Sequence, residues 1–380
     1  MRAPFDLSLK TSLVFGEGSL LRVGELASQI GGTRVLLVTD SGIVRAGHVA
    51  RAVNSLVEAG LAVSVFDGVR ENPDTEDVDR CVEAGRACGA DLIVGMGGGS
   101  SMDTAKGANF LLSNGGRIQD YWGIGKAKLP MLPLIAIPTT SGTGSECQSF
   151  ALISDPGTHQ KMACGDKKAS ARYAILDPVL TVSQPARVTA CTGVDALAHA
   201  LETAVTLKRN SVSLLFSREA LRLCLRALPR VLREPSDLEA RGEMQLAAAY
   251  AGIAIENSML GCAHSAANPL TARFGIVHGQ AVGRMLPGVI RRNAADSATA
   301  DAYAEHARAA GLGSLEELLH QLEEILRLAQ LDVGLARFGV SRDALPALAA
   351  EASRQWTLQF NPVPYTEQDF IALYMEALGS

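Results

Sequence analysis

No run of about 18 consecutive apolar residues occurs in the chain, so the sequence offers no membrane-spanning helix. Positive charge is also short. Lys and Arg number 35 against 40 Asp and Glu, a net charge of −5, and without a basic footprint no nucleic-acid partner is expected. The opening residues Met1-Arg2-Ala3-Pro4-Phe5-Asp6 lack the apolar stretch of a secretory signal. The seven cysteines include no CxxC pair, and an odd, scattered set reads as free thiols in a reducing cytoplasm. Neither GxGxxG nor the GxxxxGK P-loop is present, which excludes the two commonest phosphate-binding fingerprints. Internal repeats and low-complexity runs are likewise absent. What remains is ordinary globular composition, 47% apolar and 20% charged. At 380 residues the chain exceeds what one core usually supports, so two domains are expected.

The first half alternates short apolar runs with helical patterns. Ser12–Phe15, Arg34–Thr39, Leu61–Phe66, Asp91–Gly95, Leu134–Pro138, Ala151–Ser154 and Ala171–Leu176 read as strands, several too uniformly apolar for anything but a buried parallel sheet. Helices are expected between them, at Leu20–Gln29, Gly47–Ala59 and from Thr75, taken as a cap, to Cys88. Thr158–Lys168 reads as a polar loop. This alternation predicts a doubly wound α/β sheet of Rossmann-like type. After Asp177-Pro178 the strands stop. Helices are expected at Ser183–Ala190, Thr192–Thr206, Ser211–Leu232, Ser236–Ile255, Ser258–Arg273, His278–Arg292, Thr299–Ala310, Ser314–Leu328, Ser341–Ala350 and Glu367–Leu378, with Asn210, Ser236, Ser314 and Ser341 as caps. The boundary is placed near Ser183, giving an α/β domain over 1–183 and an all-helical domain over 184–380, with the reaction in their cleft.

Two features carry chemistry. Gly97-Gly98-Gly99-Ser100-Ser101 follows a buried strand and opens a helix. Glycines let backbone N–H groups approach an anion, and the helix N-terminus adds positive potential, so the turn reads as a pyrophosphate cradle; otherwise it is a tight turn. Thr139-Thr140-Ser141-Gly142-Thr143-Gly144-Ser145-Glu146 sits at another strand's carboxyl end, where ligands of open α/β sheets bind. Lys106 reads as a solvated helix residue, and Lys161 as a loop lysine within reach of a nucleotide. The second feature is Asp195 and His199, four apart on a helix of small and aliphatic residues and therefore side by side. His264 and His278 add imidazoles in similarly small surroundings, and one Asp with three His suits a first-row metal; the alternative is a hydrogen-bonded core pair. Cys262 is set aside, since i and i+2 face apart on a helix. His48, His159, His306 and His320 are taken as solvated and inert.

Taken in order, Gly97-Gly98-Gly99-Ser100 with Asp103 and Lys106, Pro138 to Glu146, Gly193-Val194-Asp195 with His199 and Glu202, and His264 with His278-Gly279 resemble the iron-containing (group III) alcohol dehydrogenase family. The resemblance spans essentially the whole chain. It implies a Rossmann-like domain followed by a helical one, and Asp195, His199, His264 and His278 holding a catalytic iron, or zinc. It also implies a cofactor turn of Gly97, Gly98, Gly99, Ser100 and Asp103, with Gly98, Gly99 and Ser100 on the pyrophosphate. Thr139, Thr140 and Thr143 would line the cofactor path, Lys161 would stand on the cofactor side, and Asp40 would read the adenosine ribose and so select NAD over NADP. The expected activity is hydride transfer between a nicotinamide cofactor and a small alcohol or aldehyde, in a homodimer or larger assembly. Dehydroquinate synthase-like and maleylacetate reductase-like enzymes, and a non-catalytic metal- or nucleotide-binding protein, are the rival readings. Two positions depart from the family. Asn268 stands where many members have a histidine four residues after the third ligand, and Ile255 where many have phenylalanine. Asparagine hydrogen-bonds but does not titrate, so the proton path and substrate class are open.

Overall fold

The apolar runs of the first half pair with one another because, buried on both faces, they cannot be left to solvent. The structure, a computed structural model, describes Phe5, residues 9–157 and residues 161–379; His159 lies outside the described residues. Its strands are β1 (Ser12–Phe15), β2 (Arg34–Val38), β3 (Ala62–Phe66), β4 (Leu92–Gly97), β5 (Gly123–Ile124), β6 (Leu134–Pro138), β7 (Phe150–Ser154), β8 (Lys161–Gly165) and β9 (Tyr173–Leu176). Six of them form a wholly parallel sheet in the order β1-β9-β6-β4-β2-β3. The helices of this half are α1 (Val23–Gln29), α2 (Ser41–Arg45), α3 (His48–Glu58), α4 (Thr75–Cys88) and α5 (Gly99–Asn114). Alternate residues feed two cores. Leu36, Val38 and Ile93 enter one, and Val35, Leu37, Leu92 and Val94 the other. Each such fully buried aliphatic side chain contributes about 1.5–3 kcal/mol.

In register, Val38 of β2 lies beside Gly95 of β4, and Gly97 of β4 beside Pro138 of β6. The carboxyl ends of three neighbouring strands therefore deliver Asp40, the glycine turn and Thr139-Thr140 next to one another, at the sheet edge where open α/β proteins take ligands.

The remaining helices are α6 (Ala186–Val205), α7 (Ser211–Arg233), α8 (Leu238–Asn257), α9 (Cys262–Phe274), α10 (His278–Asn293), α11 (Ser297–Ala309), α12 (Leu315–Leu328), α13 (Leu345–Ala352) and α14 (Glu367–Leu378). Helix α6 packs against α7, α8 and α10 and is buried around almost its whole circumference. That follows from its composition, which has no polar stripe to offer water. Internal contacts divide the chain into two units, one running through Thr140 and resuming over Gly144–Gln184, the other joining Ser141–Thr143 to the chain from Pro185 onward. Among the described residues no single helix is long and apolar enough to cross a membrane.

Several local expectations are corrected. Lys161–Gly165 is not loop but β8, antiparallel to β7, with Met162, Ala163 and Cys164 buried. Ser183–Ala190 and Thr192–Thr206 are not two helices: one helix, α6, runs through Gly193, where a Cβ would strike Leu228 of α7. This glycine permits close packing rather than starting a helix. Asp74, in a capping box with Asp77, caps α4 in place of Thr75. Asp237 rather than Ser236 caps α8, and Ser341 makes no side-chain cap, whereas Asn210 and Ser314 cap as expected.

Candidate functional site

Helix α6 carries Asp195, His199 and Glu202 at i, i+4 and i+7, which a 3.6-residue period places on one face. His264 enters from the first turn of α9 and His278 is the first residue of α10. Small residues bring the helices close enough for these side chains to meet. A Cβ on Gly279 would strike the carbonyl of Cys191, and one on Gly142 would lie 2.5 Å from Thr192 Cβ. Asp195 Oδ1 lies 3.5 Å from His199 Nε2, 3.4 Å from His264 Nε2 and 3.8 Å from His278 Nε2. The His199 and His264 rings stack with centroids 4.8 Å apart, and His278 tilts against His264 at 5.3 Å. Asp195, His199 and His264 are buried, while His278 keeps part of its side chain exposed.

This donor set fits a cation. Bonds of about 2.1 Å to a tetrahedral ion put ligand atoms roughly 3.4 Å apart; the imidazoles stand 3.4–3.8 Å from Asp195 Oδ1, and Asp195, His199 and His264 offer ligand atoms all within 4.8 Å of one another. Asp195 Oδ1 and His264 Nε2 are buried with no partner but one another, facing across 3.4 Å, a contact that a shared cation would replace. Charge leans the same way. Burial opposes ionisation of Asp195, but the imidazoles around it prevail and hold it well below the usual carboxylate range. Burial would also depress His264, yet Glu202 and Asp195 lift it to about 10. For His199 burial wins and the ring is pushed down. Glu202 Oε2 lies 2.5 Å from His264 Nδ1.

The second candidate lies at the strand ends. Gly97 has φ 146°, and a Cβ there would collide with Ser101 Oγ, so no side chain fits. Gly98 caps α5 with its backbone and Gly99 opens the helix, leaving the first N–H groups of a 16-residue helix at the turn. Thr140 Cγ2 is 3.4 Å from where a Cβ on Gly98 would sit, and Thr139 N–H donates to Gly97 O at 2.9 Å. Asp40 Oδ1 accepts from Gly42 and Ile43 N–H and so caps α2, while its Oδ2 stands 3.4 Å from the Cβ position of Gly97. Lys161 Nζ reaches Asn72 Oδ1 at 3.5 Å, and Asn72 N–H donates to Ser100 Oγ at 3.2 Å, which brings Lys161 to the turn. Asn72 itself holds a left-handed φ of 53°. Thr143 belongs with the helical unit.

Asp103 is turned inward, and Ser145 Oγ donates to its Oδ1 at 3.0 Å. Burial pushes its pKa up, against the pull of Lys106 and Lys161. Lys106 is not solvated. It is wholly buried, and its Nζ donates to Ser145 O at 2.5 Å, Ser145 Oγ at 2.9 Å and Phe150 O at 3.1 Å. The Asp103–Lys106 pair thus ties α5 to the Ser145–Phe150 segment. Neighbouring Glu146 is buried, and burial lifts it to about 7. The reading of His48 and His306 as solvated is also corrected. His48 Nε2 bonds Ser183 Oγ at 2.8 Å, and His306 donates from Nδ1 to Ala302 O at 2.9 Å; both are buried where helical packing covers them. Asn268, one turn beyond His264 on α9, donates to Gln355 Oε1 at 3.0 Å. Ile255 is buried near the end of α8.

Comparison with known proteins agrees with both halves. Residues 10–178 match the model of iron-containing alcohol dehydrogenases, and residues 189–378 match the C-terminal model of the Fe-containing alcohol dehydrogenase family. The NAD-dependent methanol dehydrogenase of Bacillus methanolicus is 34% identical over 373 residues, covering 96% of this chain and 97% of the relative. The 1,3-propanediol dehydrogenase of Klebsiella pneumoniae is 32% identical over 384 residues, covering 98% of each. A crystal structure of 1,3-propanediol oxidoreductase superposes with a TM-score of 0.94 at 31% identity, covering 99% of this chain and 100% of that one. With both family models matched and the α/β and helical halves in place, this chain belongs to the iron-containing alcohol dehydrogenase family.

Proposed function

We propose that the chain is a metal-dependent, NAD-linked dehydrogenase that interconverts a small alcohol and its carbonyl form. The observation that carries this reading is the convergence of Asp195, His199, His264 and His278, with the three imidazoles 3.4–3.8 Å from Asp195 Oδ1. Those four would hold a divalent cation, iron by family and zinc by ligand type. When bound, the cation supplies polarisation of the substrate oxygen and the nicotinamide supplies or takes up the hydride. The chain's own residues do the rest. Asp195 neutralises part of the cation's charge, and the buried His199 and His264 close the dry side of the site. His278, partly exposed, marks the side from which a substrate oxygen enters.

Gly97, Gly98, Gly99 and Ser100 present backbone and hydroxyl donors to the pyrophosphate, with Lys161 adding charge at the turn and Thr139, Thr140 and Thr143 along the cofactor path. Asp103 acts by holding the Ser145 segment. Asp40 repels a 2′-phosphate and accepts from the ribose hydroxyls. Residue 268 relays no proton, because an amide donates hydrogen bonds but does not titrate.

The test is turnover on a panel of short alcohols, diols and aldehydes, before and after chelation and again after anaerobic return of Fe²⁺ or Zn²⁺. Activity should vanish with the metal and return with it; chelated protein that stays fully active sinks the proposal. Catalytic efficiency should be higher with NAD than with NADP, and Asp40→Gly should narrow the gap. Equal efficiencies in the wild type would remove Asp40 from the account.

A further inference from the structure

Helix α9 begins without a side-chain cap of its own, since Gly261 occupies that position. Its first N–H groups are satisfied from elsewhere. Cys262 N–H donates to Asn361 Oδ1 at 3.2 Å, and Glu202 Oε1 accepts from Ala263 N–H at 2.6 Å and from His264 N–H at 3.4 Å. The other oxygen of the same carboxylate meets His264 Nδ1 at 2.5 Å. Glu202 therefore grips both the backbone that carries His264 and the imidazole itself. Gly261 makes room for this arrangement, because a Cβ there would lie 2.9 Å from Asn361 Oδ1 and 3.4 Å from Glu202 Oε1.

We propose that Glu202 is a positioning residue of the metal centre: it fixes the tautomer and direction of His264. An Nδ1–H held by the carboxylate leaves the Nε2 lone pair pointing toward Asp195, where a ligand atom is wanted. Glu202 reaches the cation only through His264; the ligand set stays at Asp195, His199, His264 and His278.

This inference rests on the metal reading above, and the experiment separates the two. Zn²⁺ affinity is measured by chelator competition on the full chain for the wild type, Glu202→Gln, His264→Ala and the double variant, with circular dichroism and melting of the metal-free proteins alongside. Glu202→Gln should fold as the wild type does and bind Zn²⁺ about 10–100-fold more weakly, whereas in the His264→Ala background it should cost no more than about twofold. Affinity for Glu202→Gln within about twofold of the wild type overturns the proposal, and so does an equal loss in the His264→Ala background, which would mean that Glu202 acts through the fold alone. Should Glu202→Gln not fold, Glu202→Asp is measured: it keeps the charge but withdraws it from Nδ1, and undiminished affinity there overturns the proposal too. A wild type that binds no Zn²⁺ brings down the metal reading and this inference together, while a binding wild type with an unimpaired Glu202→Gln brings down this inference only.

Discussion

The two candidate sites are built from different materials. In the helical unit the donors are side chains, three imidazoles and a carboxylate carried by three helices. In the α/β unit the donors are largely main chain, exposed where glycine replaces side chain at the end of β4. A site of side chains is dismantled by deleting one of them, and the fold around it persists. A site of main chain is damaged only by adding something, a Cβ or a shifted loop.

The sharpest break in this comparison is His264→Ala. It should lower turnover by about 1,000-fold or more and strip the metal while leaving NAD affinity within a few-fold of the wild type, read by steady-state kinetics, metal analysis and cofactor titration. Loss of folding instead would make the centre structural. Lys106→Met tests the opposite half. It removes the buried ammonium that bonds Ser145 and Phe150 and draws down the pKa of Asp103, and should cost about 3–5 kcal/mol in denaturant unfolding, with Zn²⁺ affinity of the folded protein unchanged. A cost under about 1 kcal/mol would show that the buried pair is dispensable.

His306 lies outside both sites. Burial holds its pKa down at about 4, so the folded state stays neutral where an unfolded imidazole is already protonated. The unfolded chain then binds more protons, and stability falls as pH drops from about 6.5 to about 4, by about 3 kcal/mol in all from this group. His306→Gln should remove that part of the acid sensitivity in urea unfolding followed against pH; an unchanged acid limb would refute it. The smallest effect is expected from Gly97→Ala. The added Cβ meets Ser101 Oγ at a φ that side chains avoid, so the KM for NAD should rise about 10-fold or more while metal content stays full. An unaltered KM would show that the turn does not hold the cofactor.

How much of this was legible beforehand follows from the same contrast. Strands β2, β4 and β6 were plain because uniformly apolar runs leave few alternatives to a buried parallel sheet. The candidate quartet stood out by residue type, and Asp195 and His199 by their spacing. Lys106 did not, since a lysine in a helix looks the same whether solvated or buried, and its partners Ser145 and Phe150 lie 39 and 44 residues away. Glu202 was visible only as a motif member; its contact with His264 spans 62 residues. Strand β8 was hidden by its charged start at Lys161, although Met162-Ala163-Cys164 behind it are buried. The helix break expected between Ala190 and Thr192 failed because the glycine at 193 serves close packing, which only the neighbouring Leu228 reveals.

One contact bears on how this fold tolerates change. Hydrogen alone separates the second residue of α10 from the Cys191 carbonyl of α6. Any heavier substituent at Gly279 pries apart the helix bearing His278 from the one bearing Asp195 and His199. A single methyl group, inert in itself and touching none of the four side chains, would then act as a lesion of the proposed metal centre, and a lineage drifting at that position would lose its chemistry before it lost its fold.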